Sequence, residues 1–289
     1  MPLDNAVCCA QLLETFGASF PLVGRAAVGE QLLESTVSRF EAYQQGKHDN
    51  KLHPIPNCVG GPGVGKSRIN QHGLQLMQVA AQRANSPHPL LPQLQAALSI
   101  CVSYSNGMAP SDVDKKLGGE AGLALRVLYR TFAEHDEVDF TAWVNRFDVF
   151  PGSVTLSVAL AALRATHEAT VPSGQLAFLY VGVDEFNNLA KDAYRALLDG
   201  VVAAIGKAMS SPPPGCFVIG MLTGTASAAL TDAFDSSKHA PVRLPARLLS
   251  LREAEAVVDK LAPASFPAAS WRASKSFRRC LAGSCSKRA

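Results

Sequence analysis

Apolar positions recur along the chain in two rhythms. Over 26–45, Val28, Leu32, Leu33, Val37 and Phe40 fall three or four apart, which predicts an amphipathic helix that stops near Gly46. Over 176–183 (LAFLYVGV) the apolar residues run unbroken between Gly/Ser and Asp-Glu, the mark of a strand buried on both faces. Shorter runs at 98–104 (LSICVSY) and 216–222 (CFVIGML) predict two more strands, and 241–244 a weaker one. Cys58-Val59 reads as the end of a further strand, because the polar, proline-bearing 47–56 reads as a loop. Helical spacing covers 67–83, 120–133, 153–168 and about 190–209, and 250–261 opens on a Ser250…Glu253 capping box. Strands separated by helices predict an α/β chain: a three-layer fold whose mainly parallel sheet has about five strands and helices on both faces.

The polar residues that punctuate this pattern carry the chemistry. Between the strand end at Val59 and the following helix stands Gly60-Gly61-Pro62-Gly63-Val64-Gly65-Lys66-Ser67, a full match to GxxxxGK[ST]. Glycines here allow left-handed backbone, so successive N–H groups can converge on one anion, helped by the positive end of the next helix. Lys66 then supplies a point charge to the β- and γ-phosphates, and the Ser67 hydroxyl a ligand for Mg²⁺. This is the signature of a P-loop NTPase, with the phosphate cradle formed by residues 60–67.

The strand at 176–183 delivers a second element, Asp184-Glu185, to the carboxyl edge of the sheet, where ligands of open α/β folds sit. Asp184 is expected to hold Mg²⁺ through water, and Glu185 to polarise the attacking water as general base. An acidic pair of this kind favours an ATPase with an extra strand between the loop strand and the metal-binding strand. In that arrangement 98–104 is the intervening, edge-side strand and 216–222 lies next to the phosphate loop. Thr223, or else Thr225, then faces the γ-phosphate and senses its loss. Asn187 and Asn188 are further candidates to position the water, and Arg243, Arg247 or Arg288 to neutralise charge on the transferring phosphoryl group.

Composition narrows the class. The chain has 289 residues, 47% of them hydrophobic, enough for a large core and too apolar for wholesale disorder. The net charge of +3 is too mild to argue for nucleic acid by itself. Basic residues gather at the end (Lys275, Arg278, Arg279, Lys287, Arg288), a solvated surface or, alternatively, a nucleic-acid patch. Seven cysteines form no CxxC pair and no zinc spacing, and Cys58, Cys101 and Cys216 sit in apolar runs as small core residues. The N-terminus lacks a basic start followed by an apolar stretch, and no segment reaches about 18 uninterrupted apolar residues. The expectation is a soluble intracellular protein, cytoplasmic or nuclear, with no membrane partner. No guanine-reading Asn-Lys-x-Asp is present, which tilts the nucleotide toward ATP.

Several stretches together resemble a known family. Phe20-Pro21-Leu22-Val23-Gly24-Arg25 looks like the "VGR" lead-in of AAA-like and STAND ATPases, which lies against adenine and ribose, and this resemblance makes Arg25 a nucleotide-binding residue. With GPGVGKS at 61–67, LALRVLYRTF at 123–132, LAFLYVGVDEF at 176–186, VIGMLTGTA at 218–226 and LSLREA at 249–254, the chain resembles the ATPase domain of Crinkler and retrotransposon-hot-spot (RHS) type proteins. The resemblance implies an ATPase domain over 18–262, an N-terminal extension over 1–17, and a basic Ser/Ala-rich tail over 263–289 that stands where a helical lid would be. Some members of the family are effectors delivered to host nuclei; as to self-association, the sequence leaves a homo-oligomer open as an alternative to a single chain. Two departures accompany the resemblance: 1–17 carries no Crinkler header, and 277–289 only echoes the Gly-x-Pro-Arg context of a lid arginine. The expected function is Mg²⁺·ATP binding with slow hydrolysis that drives a conformational change. The alternatives are a nucleotide-gated switch or scaffold without significant catalysis, and a P-loop kinase.

Overall fold

In the computed structural model, residues 22–83, 88–105, 107–133, 138–147, 150, 152–166, 174–225 and 227–261 are described. The extension at 1–17, Phe20, Pro21, the tail at 263–289 and Arg288 lie outside them.

Five strands, β1 (Ile55–Val59), β2 (Leu98–Ser103), β3 (Ala177–Asp184), β4 (Cys216–Gly224) and β5 (Pro241–Arg243), form one sheet in the order β2-β3-β4-β1-β5. Every pairing is parallel, as the alternation of strands and helices predicts. Helices α1 (Ala26–Gln44), α2 (Lys66–Gln71), α3 (Gly73–Arg83) and α4 (Leu91–Gln95) cover one face of the sheet. On the other lie α6 (Gly119–Phe132), α8 (Leu156–Ala165), α9 (Arg195–Ser210) and α10 (Ser227–Ser237). Short α5 (Asp112–Leu117) and α7 (Phe140–Val144) pack on the outside of α6. Last comes α11 (Leu251–Leu261).

Strand side chains alternate between these layers, which is why β3 and β4 are apolar throughout. Phe178 and Tyr180 face the α1 side, while Leu179, Val181 and Val183 face α6, α8 and α9. Phe40 of α1 meets Phe178 and Phe217 at ring separations of 5.3 and 5.2 Å, anchoring that helix to the two central strands. Cys58, Cys101 and Cys216 are buried thiols outside any disulfide. Among the described residues no helix is long and apolar enough to cross a membrane.

Three local expectations change. β1 begins at Ile55 and includes Pro56; its ladder to β4 starts only at Asn57, so the missing proline N–H lies ahead of that pairing. The single helix expected at 67–83 is two, because His72 (φ −106°, ψ 12°) leaves helical geometry before Gly73. The strand between the loop strand and the acidic strand is β4, whereas β2, at 98–103, is the outer edge.

Candidate functional site

β1, β3 and β4 run parallel, so their carboxyl ends reach one edge of the sheet together. There β1 passes into the glycine loop, in which Gly63 (φ 84°) and Gly65 (φ 83°) adopt left-handed backbone that residues with a Cβ avoid. Gly65 is the residue before α2, and the first amides of that helix have no carbonyl behind them to bond. Gly61, Pro62 and Gly63 are exposed. The Gly60 N–H is instead taken by the Gly224 carbonyl at 3.3 Å, so Gly60 continues the ladder to β4. Lys66 is buried and its Nζ donates to the Gly61 carbonyl at 3.0 Å, folding the ammonium back under the loop.

Arg25 braces the loop from behind. Its Nη2 donates to the Val64 carbonyl at 2.7 Å and its Nη1 to the Arg247 carbonyl at 2.8 Å. Desolvation pushes its pKa below the ordinary arginine value. A cleft of about 800 Å³ opens on this side, with Leu22, Ala26, Leu76 and Pro245 as apolar wall and Arg68 and Arg247 at its border. Arg247 is bidentate to Glu253 at 2.7 and 2.6 Å, and Glu253 also closes the capping box with Ser250. That pairing and the Ser250 bonds hold the Glu253 carboxyl down to about 2. Arg243 stands on edge strand β5 opposite Asn57.

The acidic pair meets the loop. Asp184 is the last residue of β3 and buried, and its carboxylate accepts hydrogen bonds from the Ser67 and Thr223 hydroxyls. Burial raises its pKa, the two hydroxyls oppose that, and the Glu185 charge adds to it. Glu185 sits in left-handed backbone (φ 55°), a strain on the order of 1 kcal/mol for a residue with a side chain. The turn that follows is pinned on both sides. Asn188 Nδ2 donates to the Tyr104 carbonyl at 2.9 Å and Asn187 Oδ1 accepts the Thr225 N–H at 3.2 Å. Both asparagines are thus held in protein contacts.

Thr223 is fully buried, and its Oγ1 donates to Asp184 Oδ1 at 2.5 Å. The same oxygen accepts Asn70 Nδ2 at 2.9 Å. The structure therefore commits the Thr223 hydroxyl to protein partners. Asn70 is the residue that sequence reading missed; the signal was Gly182 inside an otherwise bulky strand, for a Cβ at that position would collide with Asn70 Oδ1.

Hydroxyl and carboxylate oxygens from Ser67 and Asp184, adjacent and partly desolvated, are hard donors of the kind Mg²⁺ takes when phosphates complete its shell. Among the described residues no group of three His, Cys, Asp or Glu could hold a metal unaided.

No family model matches this sequence. The chain is similar to a Crinkler effector over part of its length. Crinkler effector protein 108 of Phytophthora sojae is 27% identical over 121 residues, which make up 42% of this chain and 15% of the effector. The stretch in common is thus under a sixth of that protein. A chain in the structure of Drosophila ORC bound to GC-rich DNA and Cdc6 aligns over 86% of this chain and 37% of its own, at 12% identity and a TM-score of 0.32, a level that carries no functional inference.

Proposed function

We propose that this chain binds ATP with Mg²⁺ at the loop between β1 and α2 and hydrolyses its β–γ bond slowly. The observation that carries the reading is the Ser67–Asp184 contact, which joins the end of the glycine loop to the acidic end of β3 in one place. Loop amides and the Lys66 ammonium hold the phosphates. Ser67 and Asp184 hold the metal, which when bound neutralises charge on the phosphoryl oxygens. Glu185 takes the proton of the attacking water, with the 185–188 turn pinned to β2 and β4 so that its carboxylate keeps its place. Base and ribose lie toward the Leu22–Ala26 side, where Arg25 links loop and cleft.

Calorimetric titration with ATP and GTP, each with and without Mg²⁺, tests this directly. Lys66→Ala is expected to abolish binding. Glu185→Gln is expected to bind ATP as the wild type does and to lose phosphate release by about 100-fold or more. Equal turnover in the two removes Glu185 from the role of base, and wild-type chain that retains bound ATP for hours marks a switch instead.

A further inference from the structure

Asn70, Thr223 and Gly182 form a buried unit that the reading above leaves unexplained. Asn70 and Thr223 are both 0% exposed. A threonine hydroxyl has one proton and two lone pairs. Asn70 Nδ2 occupies a lone pair of Thr223 Oγ1 at 2.9 Å, so the hydroxyl proton must go to an acceptor. Two acceptors are in reach: Asp184 Oδ1 at 2.5 Å and the Val183 carbonyl at 3.3 Å. The shorter, charge-assisted bond wins. Asn70 is itself held from below, because the Tyr180 hydroxyl donates to its backbone carbonyl at 2.8 Å and lies 3.4 Å from its Oδ1. Gly182 supplies the room that the Asn70 side chain fills.

We propose that Asn70 and Thr223 are positioning residues for the metal: through one directed hydrogen bond they fix the Asp184 carboxylate in the orientation in which it meets Ser67 and can share a metal ion with it. This rests on the Mg²⁺·ATP reading and gives Thr223 a task other than touching the γ-phosphate. The unit spans three elements, α2, β3 and β4, and none of its members needs a bound ligand to be held. Second partners of this kind, when removed from metal-binding side chains, change metal affinity by about 10–100-fold.

The test uses the full chain and two Kd values for ATP, one in EDTA and one in saturating Mg²⁺, measured by calorimetry. Their ratio reports how much the metal tightens nucleotide binding. In Thr223→Val, which keeps the shape and deletes the hydroxyl, the ratio is expected to fall by about 10–100-fold. Thr223→Ser, which keeps the hydroxyl, is expected to hold the wild-type ratio. Asn70→Ala is expected to lower it in the same direction and by less, since the Thr223–Asp184 bond survives without its director. An unchanged ratio in Thr223→Val, even with weaker binding in both conditions, overturns the proposal and returns Thr223 to direct phosphate contact. Should Thr223→Val fail to fold by circular dichroism, Asn70→Ala decides: a lowered ratio supports the proposal and an unchanged one overturns it. Wild-type chain that binds ATP in neither condition removes the nucleotide reading itself, and this inference with it.

Discussion

Removing the Asp114 carboxylate is expected to destabilise the chain severely, because it strips a buried guanidinium of its counterion. Arg126 is 0% and Asp114 3% exposed. They pair at 2.6 Å (Nη1–Oδ1) and 3.2 Å (Nη2–Oδ2). The remaining N–H groups of Arg126 reach the Met108, Ala109 and Gly122 carbonyls, and its Cζ lies 4.3 Å from the centre of the Tyr104 ring and 4.6 Å from that of Phe140. Breaking a buried pair from one side costs about 3–5 kcal/mol. Asp114 also caps α5, accepting the Ser111 N–H at 2.8 Å, and losing a cap adds about 1 kcal/mol. The sum for Asp114→Ala is about 4–6 kcal/mol, a large share of the 5–15 kcal/mol typical of a folded domain. Urea titration followed by circular dichroism reads the loss as a shift of midpoint at constant slope. The double variant Asp114→Ala/Arg126→Met takes both charges out and is expected to recover much of that loss, since the stranded charge is gone. A single variant within about 1 kcal/mol of wild type, or a double variant as costly as the two singles added, refutes this account. The site feels the same change: the Tyr104 N–H bonds the Asp184 carbonyl at 3.1 Å, so loosening Arg126 loosens the end of β3.

Two further outcomes follow from other buried groups. Arg25→Met is expected to weaken ATP binding by about tenfold or more, since two charge-assisted bonds, one to the loop at Val64 and one to the Arg247 carbonyl, are lost; Arg25→Lys should not restore it, because an ammonium cannot span the two carbonyls as a guanidinium does. His53 and His239 are buried, and desolvation lowers both pKa values, so the folded chain keeps them neutral. As pH falls below the usual histidine value near 6.5 the unfolded chain takes up protons that the fold refuses, and stability drops by up to about 1.4 kcal/mol per pH unit for each. Urea midpoints at pH 7.5 and 5.5 check this: His53→Gln with His239→Asn should flatten the dependence, and parallel curves count against it.

The sheet was legible where burial on both sides leaves its mark, in the unbroken apolar runs of β3 and β4. It was obscure at β1, where Pro54 and Pro56 read as loop and only register shows that the ladder to β4 starts beyond the second proline. The GxxxxGK[ST] loop and Asp184 stood out as candidates through residue type and spacing alone, and the fold brings Ser67 and Asp184 into contact. Buried arginines did not. Arg39, on the helix predicted from its apolar stripe, is fully buried against the Phe217 ring with its Nη2 on the Val218 carbonyl at 2.6 Å, and burial lowers its pKa to about 9. Periodicity counts such a residue as surface, because it scores charge and cannot see an aliphatic stem lying along a core. The direction of the Thr223 hydroxyl was hidden for a similar reason: it is set by Asn70 and Asp184, which are distant in sequence and meet only once strand order is known.

Strand order also explains why a linking residue is needed at this edge. With β4 between β1 and β3, the loop strand and the acidic strand are two strand spacings apart, roughly 10 Å. A carboxylate at the end of β3 cannot span that gap to β1 by itself. The chain closes it from above, where α2 leaves the loop and brings Ser67 across to Asp184, and from below, where Thr223 on the intervening strand bonds the same carboxylate. Asn70, one turn along α2 from Ser67, ties the two routes together by bonding Thr223. A residue on β4 that faced only a phosphate would leave α2 tied to β3 by the Tyr180–Asn70 and Ser67–Asp184 bonds, but the side-chain link from Asn70 through Thr223 to the carboxylate would be gone. The strand inserted between loop and acid is therefore the part of the fold that makes their distance a fixed quantity, and the threonine at its end is where that constraint is applied.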